Sequence, residues 1–361
     1  MMIMKISVPV MHLRSIFTKI PHLLFMKLVT YAKEGREQLA FCVNDNLYDT
    51  DMADNRLPRT MMELLQGWES LSPLAREVEA DIKSGKNTVM TYASFSSAPL
   101  LAPLPRPSSC RDGYAFRQHV AAARRNRKVD MIAEFDQYPI FYFTNHNAIQ
   151  GPGPVPVMPD HLQKLDFELE AAIVTCKHGR NIHASEADEY IAGYMIMNDM
   201  SARTLQMEEM LLNLGPAKGK DFSTIIGPML VTPDELEPYR IDPKPGHIGA
   251  SYKLSMRCWV NDKLVSEGNM GDMDWTFAEI IERCAYGVDI IPGEVIGSGT
   301  VGTGCFLELN GTGLLNDPSF KPQWLQPGDV VRMEIDGLGT LVNTIIAEET
   351  DWSILKLKKQ N

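Results

Sequence analysis

A strict alternation of apolar and acidic side chains occurs at Leu165-Asp166-Phe167-Glu168-Leu169-Glu170-Ala171. Successive side chains of a β-strand point to opposite faces, so the pattern predicts a strand with three carboxylates on one face. Like charges about 7 Å apart along a strand repel one another unless a cation neutralises them. Two interpretations are open: a solvated strand face, or a site for a hard ion such as Mg²⁺, Ca²⁺ or Mn²⁺, which prefers oxygen ligands.

The sequence around this stretch consists of short apolar runs of strand length, separated by Pro-Gly and similar turns. Such runs occur at residues 139–143, 171–176, 194–198, 229–232, 253–260, 295–297, 306–309 and 330–335. Helical patterns are few, and they do not alternate regularly with the strands. The pattern therefore favours a strand-rich α+β domain of mixed order over a doubly wound parallel sheet.

The first third of the chain differs from the rest. Strand-like runs at 27–31 and 40–43 precede a helical pattern, and a loop rich in proline and serine follows at 96–109. We therefore expect a small N-terminal α+β domain over residues 26–105 and the strand-rich domain over residues 106–361.

Residues 1–25 contain three basic residues and no acidic ones, and their apolar run is broken by Pro9 and His12. Its uninterrupted apolar run is too short to span a membrane. We expect it to be an extension outside the fold. A transit-like or secretory segment is the alternative.

Composition excludes several classes of protein. The 361 residues are 44% hydrophobic and 22% charged, as in a soluble globular protein. The net charge of −11 argues against binding of nucleic acid or an anionic membrane along the whole chain. Six cysteines lie far apart with no C-x-x-C pair, which argues against a thiolate metal site or a disulfide framework and favours a reducing, cytoplasmic location.

A second acidic position occurs where a strand pattern ends in Met197-Asn198-Asp199 and a helical pattern begins. Helical spacing places Arg203 and Gln206 on the same face as Asp199. The aspartate is either a cation ligand or a cap and salt-bridge partner of Arg203. The nearby loop GPAKGK, residues 215–220, presents lysines but lacks the spacing of a Walker loop.

Two further motifs could bind or convert a ligand. In RDGYAFRQH, residues 111–119, His119 is either a general base or a structural histidine. The basic residues at 124–128 form a solvated face or receive an anionic substrate.

The stretch GSGTVG, residues 297–302, matches the dinucleotide-binding pattern, but that pattern requires a helix next. Because residues 305–309 alternate like a strand, we reject a dinucleotide site. We expect the glycines to let the backbone approach a small ligand, with the hydroxyl of Thr300 beside it.

In this order the motifs resemble those of the fumarylacetoacetate hydrolase family. The resemblance runs from about Asp112 to near Ile346 and is carried by DGYAFRQH, DFELE, MNDMSARTLQ, GPAKGKDF and GSGTVGTGCFLEL. It implies a mixed β-roll, usually a homodimer, that holds one divalent metal: Mg²⁺, or else Mn²⁺ or Ca²⁺. A small N-terminal domain suits the longer, fumarylacetoacetase-like members.

The resemblance also implies a role for individual residues. The metal ligands would be Asp112, Glu168, Glu170 and Asp199, and Asp166 would not be one. The catalytic residues would be His119 and Glu308, which activate water, and Arg203, Gln206 and Lys220, which stabilise negative charge. The substrate contacts would be Tyr114, Lys128, Tyr142, Gly299 and Thr300. Lys128 stands where fumarylacetoacetase itself has an arginine for the distal carboxylate.

The implied activity is metal-dependent hydrolysis of a carbon–carbon bond in a diketo acid that is fumarylacetoacetate- or acylpyruvate-like, as in the catabolism of aromatic compounds. Two alternatives stay open: decarboxylation, hydration, dehydration or isomerisation of a 2-oxo acid, and a non-catalytic binding protein that an ion stabilises. The expected partner is a small anionic diketo or 2-oxo acid. We expect a homodimer and neither a nucleic-acid nor a membrane partner.

Overall fold

The structure is a computed structural model that describes residues 26–359. The extension expected at residues 1–25 lies outside the described residues. The strands of the first half are β1 (Lys27–Lys33), β2 (Arg36–Val43), β3 (Asn46–Asp49), β4 (Ala93–Ser94), β5 (Ser109–Gly113), β6 (Phe141–Phe143), β7 (Ile149–Gln150), β8 (Gly153–Val157), β9 (Leu165–Asp166), β10 (Leu169–Thr175) and β11 (Gly179–Arg180). Those of the second half are β12 (Ile191–Asp199), β13 (Ser201–Ala202), β14 (Thr224–Val231), β15 (Arg240–Ile241), β16 (Ser251–Tyr252), β17 (Ser255–Val260), β18 (Lys263–Asn269), β19 (Asp289–Ile290), β20 (Glu294–Gly297), β21 (Val330–Ile335) and β22 (Gly339–Ala347).

Helices are fewer than strands, as the sequence predicts. They are α1 (Thr50–Ala53), α2 (Met61–Gln66), α3 (Trp68–Lys83), α4 (Arg117–Asn126), α5 (Ala184–Ala187), α6 (Arg203–Met210), α7 (Phe277–Ala285) and α8 (Phe306–Asn316). Short 3-10 helices cover Ala133–Asp136, His161–Lys164, Asp188–Tyr190, Pro233–Tyr239, Met270–Asp272 and Leu355–Leu357. Within residues 26–359, none of the helices has the length and apolar character needed to cross a membrane.

An eleven-stranded mixed sheet forms the centre of the described chain, in the order β4-β3-β2-β1-β14-β12-β10-β20-β5-β6 with β7 beside β14. Every residue of β10, β12 and β14 is buried. Alternate side chains of β10 belong to two separate cores: Ala171 and Ile173 to one, Ala172 and Val174 to the other. The sheet is therefore covered on both faces, as continuous apolar strands require.

A second sheet covers one of those faces. It has the order β18-β17-β21-β22-β8, and its inward side chains, such as Met256, Met333 and Ile345, share a core with β10 and β12. Helices α2 and α3 cover the opposite face through Leu64, Leu65 and other apolar residues at helical spacing. The expected strand-rich α+β fold is confirmed.

The N-terminal strands belong to the same sheet as the later ones. Strand β1 pairs antiparallel with β14, where Lys27 lies opposite Val231, so the first four strands extend the central sheet. The helical pattern predicted in this part is confirmed by α2 and α3. The division into domains at residues 105 and 106 stays a prediction.

The strand expected at residues 306–309 is wrong, because helix α8 begins there. The carboxylate of Asp166 accepts hydrogen bonds from the backbone N–H groups of Phe306 at 2.7 Å and Leu307 at 2.9 Å, which satisfies two of the free donors of the helix N-terminus. A helix thus does follow the GSGTVG stretch. The next strand, β21, lies in the second sheet, so no βαβ unit of the dinucleotide-binding kind forms here.

The acidic stretch at 165–171 is buried throughout, which excludes a solvated strand face. It is also not one continuous strand: β9 ends at Asp166, and Glu168 lies in the connection to β10. Asp166 accepts a further bond from Arg203 Nε at 2.9 Å. One fully buried carboxylate therefore connects α6 to the start of α8.

We expect Asp166→Asn to lower the free energy of unfolding by about 3 kcal/mol. The asparagine side chain would place its NH₂ group against N–H donors that now donate to the carboxylate of Asp166. Urea unfolding measures the change. Asp289→Asn is the matched control, since Asp289 is half exposed in its pair with Arg180, and it should cost less than about 1 kcal/mol. Equal losses in the two variants would contradict this account.

Candidate active site

Four carboxylates converge where the central strands lie side by side. Asp112 is on β5, Glu168 precedes β10, Glu170 is on β10, and Asp199 ends β12. Strand β20 lies between β5 and β10, and β12 adjoins β10, so the sheet order brings these positions together. One oxygen of each carboxylate lies within 4.8 Å of the others, and all four side chains are buried. These are the four ligands that the family resemblance implies.

Burial makes this cluster electrostatically unfavourable by itself. It raises the pKa of Asp112 to about 7, with the charge of Asp199 adding to the effect. Burial and the neighbouring Asp112 raise the pKa of Glu170 well above its usual range. Glu168 behaves differently: burial raises its pKa, but the charges of Lys220 and Arg203 outweigh burial and bring it to about 2. The cluster therefore favours an additional positive charge.

A hard divalent cation fits this set of donors. All four groups offer oxygen, which is the ligand atom preferred by Mg²⁺, Ca²⁺ and Mn²⁺. Among residues 26–359, Asp199 Oδ1 is a buried oxygen without a hydrogen-bond partner. An uncompensated buried oxygen is costly, and metal coordination is one way to satisfy it.

Two buried cations hold the cluster from the side of α6. Lys220 Nζ donates to Glu168 and, at 2.6 Å, to Asp199 Oδ2. Arg203 Nη2 donates to Glu168 Oε1 at 2.7 Å, and its Nη1 donates to Gln206 Oε1 at 2.9 Å. The three residues predicted to stabilise negative charge thus lie together at the carboxylate cluster.

A histidine and a glutamate form the predicted dyad. Nδ1 of His119 on α4 lies 2.7 Å from Oε2 of Glu308 on α8. The backbone N–H of Thr303 donates to the other oxygen of Glu308 at 3.0 Å and fixes its orientation. Since Glu308 engages Nδ1, the ring nitrogen Nε2 is left to exchange a proton with a ligand. One ring nitrogen of His119 lies within 4.8 Å of a Glu168 oxygen, so the dyad borders the cluster.

Gly299 approaches the carboxylates themselves. Its backbone N–H lies 3.1 Å from both Asp112 Oδ1 and Glu170 Oε2. Its φ is +80°, and a Cβ there would lie 2.7 Å from the carbonyl oxygen of Gly113, so a side chain is excluded. The hydroxyl of Thr300 donates to Glu170 Oε1 at 3.3 Å. The backbone at Gly299 thus makes a close approach to the acidic cluster, whereas the approach to a small ligand expected at these glycines stays a prediction.

A cavity of about 720 Å³ opens above the cluster. The predicted residues that line it are Asp112, Tyr114, His119, Tyr142, Glu168, Arg203, Gln206, Lys220, Thr300 and Glu308. Tyr142 also donates a hydrogen bond to Asp199. Glu170, Asp199 and Gly299 lie behind this lining, in contact with it. Lys128 is exposed after the end of α4 and does not line the cavity, whereas its neighbour Arg127 does.

The sequence reasoning missed the apolar part of the lining. It includes Ile140, Met207, Met210, Leu307, Leu314, Pro322 and Trp324, and the basic residue Lys164 joins it. Helical spacing could have identified two of these, because Met207 and Met210 follow Arg203 at i+4 and i+7. The others lie far apart in sequence and meet only in the folded chain.

Comparison with known proteins places this geometry in a family. The model of the C-terminal domain of fumarylacetoacetate (FAA) hydrolase matches residues 109–346. A relative from Bos taurus, oxaloacetate tautomerase FAHD2B, mitochondrial, is 30% identical over 306 residues, which cover 82% of this chain and 83% of that protein.

Solved structures agree in fold. Fumarylacetoacetate hydrolase (EaFAH) from psychrophilic Exiguobacterium antarcticum has a TM-score of 0.62 at 24% identity. Maleylpyruvate hydrolase from Sphingobium sp. SYK-6, in complex with manganese (II) ion and pyruvate, has a TM-score of 0.63 at 19% identity. Both comparisons cover 90% of this chain and 100% of the other. Because the family model matches residues 109–346, more than half of the 361 residues, the chain belongs to the fumarylacetoacetate hydrolase family.

Proposed function

We propose that the protein is a divalent-metal-dependent enzyme that hydrolyses a carbon–carbon bond in a β-diketo acid by way of an enolate. The observation that carries the proposal is the 2.7 Å contact between His119 and Glu308 beside the four-carboxylate cluster. A binding protein that only needs a stabilising ion does not require a buried histidine that lines the cavity and is oriented by a carboxylate. The pair has the arrangement of a general base.

Asp112, Glu168, Glu170 and Asp199 would hold the metal. We propose Mg²⁺ or Mn²⁺ as the ion, with Ca²⁺ as the alternative. All three ions bind oxygen ligands. When bound, such an ion polarises a substrate carbonyl and neutralises developing negative charge. The solved structure of maleylpyruvate hydrolase with manganese and pyruvate supports a divalent ion and a 2-oxo acid as ligands of this fold.

The protein side chains account for the proton transfers. His119 removes a proton from water, and Glu308 stabilises the imidazolium that results. The hydroxide oxygen bonds to the distal carbonyl carbon of the diketo acid. The carbon–carbon bond then breaks, its electron pair leaves as an enolate, and His119 returns the proton to that carbon. Arg203 and Lys220, which lie at the carboxylate cluster, would stabilise the negative charge of the enolate.

Tautomerisation of a small 2-oxo diacid is the second candidate. It is favoured by the relative named oxaloacetate tautomerase, which matches most of this chain. The same dyad could move a proton between carbon and the enol oxygen without attack by water. The two candidates share enolate stabilisation and differ only in whether water adds. The homodimer and the cytoplasmic location stay proposals from the sequence, and the relative's own name places it in mitochondria.

Metal binding is expected to depend on Asp199. For the wild-type protein, 1 mM Mn²⁺ in place of chelator should raise the melting temperature, because the ion binds only the folded state. Asp199→Asn should bind Mn²⁺ at least tenfold more weakly by calorimetry, because a neutral amide replaces a charged ligand. Asp289→Asn, on the surface, should bind as the wild type does. Unchanged affinity in the Asp199 variant would remove this residue from the ligand set.

His119→Gln is expected to lower kcat on an acylpyruvate by about 10² to 10⁴, the range for loss of a general base. Mn²⁺ binding should persist, since the ligands are untouched. The matched control is His183→Gln, because the side chain of His183 is 77% exposed. Steady-state assays that follow loss of the enol absorbance measure both variants. Full turnover by the His119 variant would refute water activation by the dyad.

Isotope labelling should separate hydrolysis from tautomerisation. With acetylpyruvate in H₂¹⁸O and Mg²⁺ or Mn²⁺, hydrolysis places one ¹⁸O atom in the acetate product, which mass spectrometry detects. A tautomerase would instead accelerate decay of the oxaloacetate enol and leave acetylpyruvate intact. Metal-dependent melting with neither reaction would favour the non-catalytic alternative.

A further inference from the structure

The cavity has two chemically different parts. Its floor is formed by the carboxylate cluster, its cations and the dyad. Its outer wall is apolar and is formed by Ile140, Met207, Met210, Leu307, Leu314 and Trp324. Two helices contribute most of the wall, since the methionines are on α6 and the leucines on α8, while Ile140 and Trp324 lie outside any helix. The same helices carry Arg203 and Glu308, so floor and wall have a fixed relation to one another.

The cavity is much larger than a four-carbon acid requires. At about 30 Å³ per water molecule in the liquid, 720 Å³ holds roughly two dozen waters. Oxaloacetate has fewer than half as many non-hydrogen atoms. Its two carboxylates and its carbonyl would occupy the charged floor and leave the outer wall in contact with water.

The wall exposes apolar surface in the described chain. Ile140 is 49% exposed, Met207 42%, and Met210 and Leu314 each 44%, although they border one concave site. Apolar surface that is concave and continuous with a polar site is typical of ligand pockets, where it binds the apolar part of the ligand.

A second carboxylate at the far end of the ligand is poorly matched. Lys128, which stands at the position implied for distal-carboxylate recognition, does not line the cavity. The basic side chains of the outer lining, Arg127 and Lys164, are exposed, so water screens their charge. Buried cations occur at the floor, where Lys220 and Arg203 already pair with carboxylates.

We propose that the outer wall binds the apolar tail of the substrate, which is a 2-oxo or β-diketo acid ending in an alkyl or aromatic group. The head group binds at the floor as the proposed function requires, and the proposal rests on that function for the head group. The wall residues, above all Met210 and Leu314, then determine specificity for chain length. Oxaloacetate fits the head-group subsite only.

Calorimetric titration of the Mn²⁺-loaded protein tests this without requiring turnover. The probes are pyruvate, 2-oxohexanoate, 2-oxooctanoate and the diacid 2-oxohexanedioate. The Kd should fall about fourfold for each methylene that the wall buries, as the transfer of a methylene from water predicts. The diacid should bind more weakly than 2-oxohexanoate, which has the same chain length.

Variants locate the tail on the wall. Met210→Ser and Leu314→Ser should each reduce the ratio of the Kd for pyruvate to that for 2-oxooctanoate at least threefold. Leu211→Ser is the matched control: Leu211 follows Met210 in sequence, is 81% exposed and does not line the cavity, so its variant should keep the wild-type ratio.

The outcomes separate this proposal from the proposed function. If pyruvate binds but affinity does not grow with chain length, the apolar-tail proposal is overturned and the head-group chemistry stands. A diacid that binds more tightly than 2-oxohexanoate also overturns it. If no 2-oxo acid binds the metal-loaded protein, the proposed function fails, and the tail proposal fails with it.

Discussion

The site depends on five buried carboxylates: three on strands of the central sheet, and those of Glu168 and Asp166 beside it. Removing a carboxylate from water costs several kcal/mol even after relaxation, so this arrangement needs compensating charge and hydrogen bonds. Lys220 and Arg203 supply part of it, and the backbone N–H groups of Gly299, Phe306 and Leu307 supply more. The excess of negative charge that remains is what suits the cluster to a divalent cation.

Asp166 connects this cluster to the rest of the active site. It binds Arg203, which in turn binds Glu168, and it caps the helix that carries Glu308. The fully buried side chain of Asp166 thus fixes the position of the Arg203 guanidinium at the cluster and of Glu308, the residue that orients His119. Rigidity of this kind would keep the proposed base, His119, at a fixed distance from the carboxylate cluster. It also explains why an acidic residue that is not an expected ligand is buried here.

The sequence was informative where one local pattern determines a local structure. The alternation at 165–171 and the strand end at Asp199 pointed to acidic residues that include three of the four clustered carboxylates, although 165–171 is not one strand. The ordered motifs led to the family and, through it, to the full ligand set. It failed at residues 306–309, where alternation suggested a strand. The capping group of that helix, Asp166, lies 140 positions earlier, so no local pattern could reveal it. The apolar wall was missed for the same reason, because Ile140, Leu314 and Trp324 meet only after folding.

Membership of the family does not fix the reaction, and the geometry explains why. Stabilising an enolate needs only the carboxylate cluster and its cations, and hydrolysis, tautomerisation and decarboxylation all use that step. These reactions differ in whether water reaches the substrate carbonyl and in which part of the substrate fills the rest of the cavity. In the proposed function, the dyad of His119 and Glu308 would control the first, and the apolar wall, mostly on α6 and α8, would control the second. Because those helices border the sheet instead of forming it, their apolar side chains can change without disturbing the buried carboxylates, and substrate choice can diverge while the fold is kept.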